Sequence, residues 1–243
     1  MIYILNLKFQ KLYNFKQMMK EKIFFIIKEK SQRVKNKNFL KIQGLPLYKF
    51  VLYKFKNFKV FVDTDSKKIY ENCKKDPKLK HVTCYKRKKS FIQMEKSKKT
   101  SPTPLMIKNY IDKYANKDKI IITSHITSPF LKIKTLNKAI KKMSIYDSVS
   151  SCSKVQNFSY LETAKPKPIN FNPKIIQKTQ ELKKIIHLNG SFFIFKRSIF
   201  LKNGFQRVTQ KNYFYDLGFP ELIDIDNYED FALTRKIAKK KLA

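Results

Sequence analysis

The sequence predicts an α/β fold in which helices cover both faces of a mostly parallel sheet. Short, continuously apolar segments of strand length alternate with longer segments whose apolar residues recur at helical spacing. Continuous apolar runs of this kind are typical of strands that are buried on both faces of a parallel sheet. The 243 residues are enough for one large domain or two small ones. We predict a single domain over residues 23–241.

The predicted elements follow one another in β-then-α order, which indicates right-handed crossover connections. IFFII at 23–27 and IIIT at 120–123 are apolar runs of strand length, whereas LPLYKFVLYKF at 45–55 has helical spacing. Turn residues at 127–129 precede the helix predicted at 130–143. The predicted strands are 23–27, 60–64, 81–85, 120–123, 146–154, 189–195 and 221–226, and the predicted helices are 45–55, 66–75, 104–114, 130–143, a short helix after 195 and the tail from 227.

Two segments fall outside this alternation. Residues 156–186 contain three prolines and no clear periodicity, so we expect an extended arm or an inserted lobe there. Residues 1–22 precede the first strand, are basic and apolar, and lack a small-residue cleavage site. We expect a flexible N-terminal extension and no secretory signal.

The charge of the chain is extreme but evenly distributed. There are 54 basic and 18 acidic residues, for a formal net charge of +36, and only five of the basic residues are arginine. Lysine occurs along the whole chain rather than in one stripe, which indicates compositional bias and not a nucleic-acid interface. Nucleic-acid binding is kept as an alternative hypothesis that rests on the charge alone.

Cysteine usage and hydropathy indicate the compartment. Cys73, Cys84 and Cys152 are odd in number and form no CxxC pair, which argues against a disulfide framework or a zinc site and favours a reducing compartment. The apolar run at 23–27 is too short to span a bilayer. We expect a cytoplasmic protein that does not associate with membranes.

The polar segment after the first predicted strand is the first candidate site, because ligands of open α/β sheets bind at the carboxyl ends of the strands. This segment, KEKSQRVKNKN at 28–38, carries Lys and Arg side chains together with Ser and Asn donors. Such groups are the usual cradle for a polyphosphate. A solvated basic loop is the alternative interpretation.

Several motifs in the same order resemble those of the acylneuraminate cytidylyltransferases, or CMP-sialic acid synthetases. The family pattern is an apolar strand, A-R-x-x-S-K-R-x-P-x-K-N, then G-x-P-L, and later segments resembling V-S-T-D-S, R-P, Q-P-T-S-P-L/F, N-G-A-F-Y-I and E-x-x-D-I-D-x-x-E-D-F. The corresponding segments here are KEKSQRVKNKN (28–38) with Gly44 and Pro46-Leu47, VDTDS (62–66), Arg87, HITSPF (125–130), NGSFFIF (189–195) and ELIDIDNYEDF (221–231). The resemblance covers roughly residues 23–238.

The resemblance implies a Rossmann-like nucleotide-diphosphosugar-transferase fold and a specific reaction. Members of the family couple CTP to a nonulosonic acid such as sialic acid and release pyrophosphate. They are generally magnesium-dependent (Mg2+) homodimers in which a protruding arm completes the sugar pocket of the partner. Residues 156–186 lie where that dimerisation arm is expected.

The resemblance also assigns roles to individual residues. The implied catalytic residues are Lys28, Lys37 and Asp226. The implied nucleotide-binding residues are Lys28, Ser31, Arg33, Lys37, Asn38, Asp65 and Arg87. The implied sugar-binding residues are His125, Thr127, Ser128, Gln180, Asn189 and Gly190, with Arg207 as a further candidate on the arm side.

Structural roles are open for some of these residues. Asp65 or Ser66 would suit the N-cap of the helix that follows them. The pair Thr127 and Ser128 would also suit a turn and the cap of the next helix. Asn189-Gly190 would suit a tight turn, and the lone histidine of HITSPF is given no proton-transfer role.

The acidic cluster near the C-terminus divides into two pairs. If ELIDID is a strand, Asp224 and Asp226 lie on one face of it, because alternate residues of a strand point the same way. Two carboxylates together with phosphate oxygens suit magnesium, so both are candidate metal ligands; balancing nearby lysines is the alternative. Glu229 and Asp230 follow Asn227, a potential N-cap, and are expected in the first turn of the last helix.

Three departures from the family pattern motivate the alternatives, and a fourth, Lys35 for the usual Pro, lies in the loop at 28–38. Lys28 replaces an Arg, Gln32 replaces a Lys and His125 replaces a Gln. The first loses bidentate phosphate recognition and the second loses a charge. The alternatives are a non-catalytic homologue that binds a nucleotide or a partner, and a 3-deoxy-manno-octulosonate cytidylyltransferase.

Overall fold

A computed structural model describes residues 21–97, 100–175 and 177–240. A central sheet is formed by seven strands, β1 (Lys22–Ile27), β4 (Lys59–Thr64), β5 (Val82–Lys86), β6 (Ile120–Ser124), β7 (Ser148–Val155), β10 (Ile185–Lys196) and β11 (Asn212–Asp216). Their order in the sheet is β11-β7-β10-β6-β1-β4-β5. The expected extension at 1–22 falls almost wholly on residues outside the described ranges.

The sheet is mostly parallel, as predicted. Strands β1, β4, β5 and β6 pair in parallel, and so do β7 and β11. Strand β10 is antiparallel to both of its neighbours, β6 and β7. The carboxyl ends of β1, β4 and β6 therefore meet at one edge of the sheet.

Helices cover both faces of the sheet, and the alternation of β1 shows why. The helices are α1 (Leu47–Leu52), α2 (Lys67–Lys75), α3 (Lys89–Ser97), α4 (Thr103–Tyr114), α5 (Ile133–Lys141), α6 (Arg197–Lys202) and α7 (Tyr228–Lys240). Ile23, Phe25 and Ile27 pack into one core with α1, α2, α5 and α7, whereas Phe24 packs on the opposite face with α4 and α6. Both faces are apolar, so both need a helical cover.

The segment predicted as an arm carries little regular structure. It contains the short antiparallel pair β8 (Tyr160–Leu161) and β9 (Lys167–Pro168), and Phe171 contacts Phe158 and Tyr160 edge to face. A similar small ribbon, β2 (Lys41–Ile42) with β3 (Leu45–Pro46), lies before α1. The last part of the predicted arm, from Ile185, belongs to β10, which is longer than expected.

The prediction that ELIDID is the last strand is wrong. The last strand is β11, and residues 221–226 lie outside the described strands. The alternation that suggested a strand is present, because Ile223 and Ile225 are buried. The backbone N–H of Ile225, however, donates to the carbonyl of Thr127 in a loop rather than to a neighbouring strand. The alternation of apolar and acidic residues therefore led to the wrong prediction of a strand.

Two further differences are smaller. Helix α5 begins at Ile133, three residues after the predicted start, and helix α3 was not predicted. Cys73, Cys84 and Cys152 are free thiols, as the sequence suggested. Within the described ranges, no helix is both long and apolar enough to cross a membrane.

Candidate active site

A cleft of about 810 Å³ opens at the carboxyl ends of β1, β4 and β6. Residues from three separate connections line it, because the parallel strands end at the same edge of the sheet. Of the residues singled out in the sequence, Lys28, Ser31, Arg33, Lys37, Asn38, Asp65, His125, Thr127 and Arg207 line this cleft.

The basic loop at 28–38 is held in place at both ends. The Asn38 side-chain amide donates to the carbonyl of Lys28 at 2.6 Å, which closes the loop onto the end of β1. Val34 is completely buried and anchors the middle. The backbone N–H of Lys35 donates to the Tyr228 hydroxyl at 3.2 Å. The loop is therefore an ordered part of the cleft wall and not a free basic loop.

The ELIDID segment reaches this loop from the other end of the chain. The Arg33 guanidinium donates to Asp226, and Lys37 Nζ donates to the carbonyl of Ile225 and lies 3.9 Å from Asp226 Oδ1. Burial lowers the pKa of Lys37, and the carboxylates of Asp226 and Asp224 oppose that shift. The predicted phosphate loop and the predicted metal ligands therefore lie side by side.

Asp224 and Asp226 suit a magnesium ion in their chemistry. Burial raises the pKa of Asp224, although a side-chain hydrogen bond from Thr127 and the nearby cations oppose the shift. Asp224 Oδ1 is buried and has no hydrogen-bond partner within the described ranges. Among the residues that the structure describes, no group of three or more His, Cys, Asp or Glu side chains could hold a metal ion by itself. Two carboxylates completed by phosphate oxygens and water fit what magnesium prefers.

Arg87 is buried behind the cleft rather than in its lining. Its Nε donates to Asp63 Oδ1 at 2.6 Å and its Nη1 to Glu95 Oε2 at 3.0 Å, while Asp65 Oδ2 is 3.9 Å away. Glu95 also binds Lys28 Nζ at 3.1 Å. In this arrangement Arg87 supports the cleft wall through its carboxylate partners.

The sequence left open whether Asp65 or Ser66 caps α2, and in the structure the two residues have different roles. The Ser66 hydroxyl caps α2 by accepting from the Ile69 N–H at 3.4 Å. Asp65 instead accepts from the backbone N–H of Glu29 at 2.7 Å and faces the cleft. Asp65 therefore links the end of β4 to the start of the basic loop.

His125 lies deep in the cleft against β10. Burial and the nearby Arg207 guanidinium lower its pKa to about 4, so the imidazole is neutral at pH 7. A Cβ added to Gly190 would lie 2.9 Å from His125 Nδ1, and Gly190 has a φ of +71°. Glycine is therefore required at that position for both steric and conformational reasons.

The turn formed by Thr127, Ser128 and Pro129 after β6, called the TSP turn, and Asn189 of β10 contribute further polar groups. Ser128 is 1% exposed, and neither its hydroxyl nor the Asn189 amide nitrogen has a hydrogen-bond partner within the described ranges. Neither Thr127 nor Ser128 caps α5. That helix start is satisfied by Glu221, whose carboxylate accepts from the Lys132 N–H and the Thr135 hydroxyl, each at 3.0 Å.

Gln180 lies on the arm and does not line the cleft of its own chain. Its side chain is exposed, and its carbonyl accepts from the Gln156 amide at 2.8 Å. Arg207, in contrast, lines the cleft, and its guanidinium carbon lies 3.9 Å from the centre of the Phe193 ring.

The cytidylyltransferase family profile matches residues 28–242 of this sequence. The match includes the basic loop and Thr127, which line the cleft, and the acidic segment that contacts the loop. The chain belongs to the cytidylyltransferase family. A comparison with curated protein sequences gave no significant match.

Solved structures of cytidylyltransferases and related enzymes share the fold. CMP:2-keto-3-deoxy-manno-octonic acid synthetase complexed with CTP is 11% identical, with a TM-score of 0.61 over 91% of this chain and 99% of that chain. The 4-diphosphocytidyl-2C-methyl-D-erythritol synthase from Anaerococcus prevotii is 11% identical, with a TM-score of 0.62 over 92% and 99%. The bifunctional IspDF from Campylobacter jejuni is 13% identical, with a TM-score of 0.60 over 87% and 53%.

Three carboxylates of this cytidylyltransferase form contacts that were not predicted from the sequence. Glu95 bridges Lys28 and Arg87, Glu29 accepts from the Ser66 hydroxyl at 3.4 Å, and Glu221 caps α5. Apart from the Arg87–Glu95 pair, which spans eight residues, these interactions join elements that are distant in sequence, so no local pattern marks them. The scarcity of acidic residues in a lysine-rich chain was the one available signal.

Proposed function

We propose that this cytidylyltransferase couples CTP to a nonulosonic acid of the sialic-acid type, giving the CMP-sugar and pyrophosphate. The observation that carries the proposal is the contact of Arg33 and Lys37 with Asp226 at the mouth of the cleft. It brings phosphate-binding cations and candidate metal ligands to one edge of the sheet. The motif matches to the acylneuraminate branch support the choice of acid.

The basic loop would bind the triphosphate of CTP. Arg33 and Lys37 have their charges at the cleft, and their present partner, Asp226, is 41% exposed in its side chain. Lys28 would supply a third cation, with Ser31 as a neutral donor. Such groups stabilise the charge that develops on the phosphoryl oxygens and on the departing pyrophosphate.

Asp224 and Asp226 would hold Mg2+ together with phosphate oxygens. When bound, the ion neutralises triphosphate charge and helps orient the α-phosphate for in-line attack. The unpartnered Oδ1 of Asp224 supports this assignment. Release of Asp226 from Arg33 would free the guanidinium for the nucleotide at the same time.

The sugar acid would lie beside His125 and Thr127. Its anomeric oxygen would form the new bond to the α-phosphorus of CTP as the hydroxyl proton passes to solvent, and the bond from that phosphorus to pyrophosphate would break. His125 is neutral at pH 7, so it acts as a hydrogen-bonding and shape-determining group. Asn189 and Ser128 offer unpartnered polar atoms in the same region.

A second copy of the chain would complete the site through the arm. Several large apolar side chains on the arm and the adjoining half of β10 are exposed, which is typical of an interaction surface. They are Phe158, Tyr160, Leu161, Ile169, Ile175, Ile186 and Leu188. Gln180 lies on this arm and would reach the sugar pocket of the partner rather than its own.

The second candidate is activation of 3-deoxy-manno-octulosonic acid. The structural likeness to a synthetase of that acid favours it as an alternative, since the reaction type is the same. The two candidates differ only in the acid accepted. Both require CTP and the same cleft.

The test is pyrophosphate release by the purified protein with CTP, Mg2+ and a panel of nonulosonic and octulosonic acids. We expect turnover with at least one nonulosonic acid. Turnover with octulosonic acids alone would select the second candidate. CTP binding by calorimetry without any turnover would indicate a non-catalytic homologue. Absence of both binding and turnover would refute the enzyme assignment.

A further inference from the structure

Arg207 is the cation of the cleft wall, within the described ranges, that combines burial with the lack of a carboxylate partner, since Lys30 and Lys96 also lack one but are exposed. Lys28, Arg33 and Lys37 each lie within 4.0 Å of a carboxylate oxygen. Arg207 lines the same cleft but has no carboxylate partner within the described ranges. Desolvation by burial lowers its pKa, yet a guanidinium keeps its proton at neutral pH. It is therefore a partly desolvated positive charge that lacks a protein counter-ion.

Phe193 packs against the Arg207 side chain. The guanidinium carbon lies 3.9 Å from the ring centre, so the cation lies over the aromatic face. Phe193 pairs in register with Thr123 of β6. The Thr123 hydroxyl is buried without a hydrogen-bond partner among the described residues, and Thr123 lines the cleft.

The polar groups around Arg207 suit a hydroxylated anion. The positive charge of Arg207 contributes to the lowered pKa of His125, and the ring centre of His125 lies 6.3 Å from that of Phe193. A neutral imidazole and the unpartnered Thr123 hydroxyl in the lining offer hydrogen bonds to a polyol, while the guanidinium offers two parallel donors to a carboxylate.

We propose that Arg207 binds the carboxylate of the sugar-acid substrate and thereby selects acids over neutral sugars. This inference rests on the proposed function, since it names the anchor for the acid in that reaction. The bidentate geometry would orient the acid ring and bring its anomeric hydroxyl toward the α-phosphate. The triphosphate is matched instead by the cations of the loop at 28–38.

The test compares wild type with Arg207→Gln and Arg207→Lys. The Michaelis constants for CTP and for the acid are measured by pyrophosphate release, and CTP affinity is measured by calorimetry. We expect Arg207→Gln to raise the Michaelis constant for the acid by about 30-fold or more, as for loss of a buried charge pair. CTP affinity should change by less than about twofold, because the triphosphate is matched by the cations of the loop at 28–38 and not by Arg207. Arg207→Lys should recover part of the acid affinity, because it retains the charge.

A substrate analogue separates charge recognition from packing. Wild type should strongly prefer the free acid over its methyl ester, whereas Arg207→Gln should accept the two with similar Michaelis constants. The control, Arg235→Gln, alters an exposed arginine on α7 and should retain wild-type constants.

Three results would overturn the inference. They are an unchanged Michaelis constant for the acid in Arg207→Gln, preserved discrimination between acid and ester in that variant, and a loss that falls on CTP instead. If Arg207→Gln does not fold, Arg207→Lys is used in its place. Wild-type affinity of Arg207→Lys for the acid, together with no preference for the free acid over its methyl ester, would then overturn the inference. If the wild-type protein turns over no acid, the proposed function itself is overturned. This outcome is distinct from failure of the Arg207 inference, because it is seen without any variant.

Discussion

Glu221, Asp224, Asp226 and Asp230 lie within ten residues of one another, yet each contacts a different part of the molecule. Asp230 accepts from the N–H groups of Asp226 and Asn227, and Asn227 accepts in return from the Asp230 N–H. This reciprocal arrangement is a capping box at the start of α7. Asp226 instead contacts the basic loop, so neighbouring carboxylates serve local structure and the cleft separately.

Replacement of Asp226 by Asn tests the metal and phosphate role. The Arg33–Asp226 pair is well exposed, so its loss should change the free energy of unfolding by only about 0.5 kcal/mol. Loss of a metal ligand should lower the turnover number by about 100-fold or more. Pyrophosphate release at saturating Mg2+ measures the effect.

The matched control for Asp226→Asn is Asp112→Asn. Asp112 is exposed and pairs with Lys108 one turn away on α4, so the same change there should leave turnover intact. Wild-type turnover in Asp226→Asn would contradict the assignment of Asp226 as a metal ligand.

His125 makes the stability of the protein depend on pH. Its pKa falls from 6.5 to about 4 in the folded state. Between these values the unfolded chain binds a proton that the folded chain does not, so stability falls as the pH falls through this window. The contribution reaches up to about 3 kcal/mol at pH 4.

The substitution His125→Gln removes that titration and keeps a polar side chain of similar size. We expect the difference in unfolding free energy between wild type and variant to shift in favour of the variant from pH 7 to pH 4. Urea unfolding at several pH values measures the shift. A constant difference across this range would show that His125 is protonated freely in the folded state.

At the scale of elements, helix α5 depends on a carboxylate that comes from a distant loop. Glu221 is 8% exposed and accepts from Lys132 N and Thr135 Oγ1 at the first turn, with Lys132 Nζ 3.2 Å away. A carboxylate there satisfies orphan donors and interacts favourably with the helix dipole. The contact also ties the loop after β11 to the helix after the TSP turn.

Substitution of Glu221 by Ala should therefore lower the unfolding free energy by about 1–2 kcal/mol. The control is Glu229→Ala, which removes an exposed carboxylate from the first turn of α7 and should cost less than about 0.5 kcal/mol. Thermal or denaturant unfolding compares the two. Equal losses would indicate that Glu221 contributes only general charge.

At the scale of the whole molecule, the sheet brings together residues that are far apart in sequence. Arg33 and Asp226 are separated by 193 positions and meet because β1 lies in the centre of the sheet. The cleft is therefore stable only when the domain as a whole is folded. The exposed arm, in contrast, makes few contacts with the sheet and is suited to contact a second copy.

Sedimentation experiments test the role of the arm. Leu161 and Ile169 are 53% and 54% exposed, so Leu161→Glu with Ile169→Glu should convert a wild-type dimer to a monomer without unfolding. The control is Ile145→Glu, which places the same charge at an apolar residue that is 60% exposed and lies outside the arm, before β7. A monomeric wild-type protein, or a dimeric arm variant, would contradict the proposed dimer.

The sequence predicted those features that depend on neighbouring residues. The apolar runs of β1, β4 and β6 were located correctly because burial on both faces requires continuous hydrophobicity. The caps by Ser66 and Asn227 were also predictable, since each acts within three residues. The family motifs indicated which of these strand ends form a site.

Only the tertiary structure shows which residues that are distant in sequence contact one another. ELIDID has the alternation of a strand, but its backbone bonds to a loop, and hydrophobic alternation carries no information about hydrogen-bond partners. Likewise, local sequence does not show that Arg87 is enclosed by Asp63 and Glu95, or that Arg207 faces the cleft without a carboxylate. Local pattern determines which face of an element is buried, whereas the neighbours that pack on it determine what each charged group contacts.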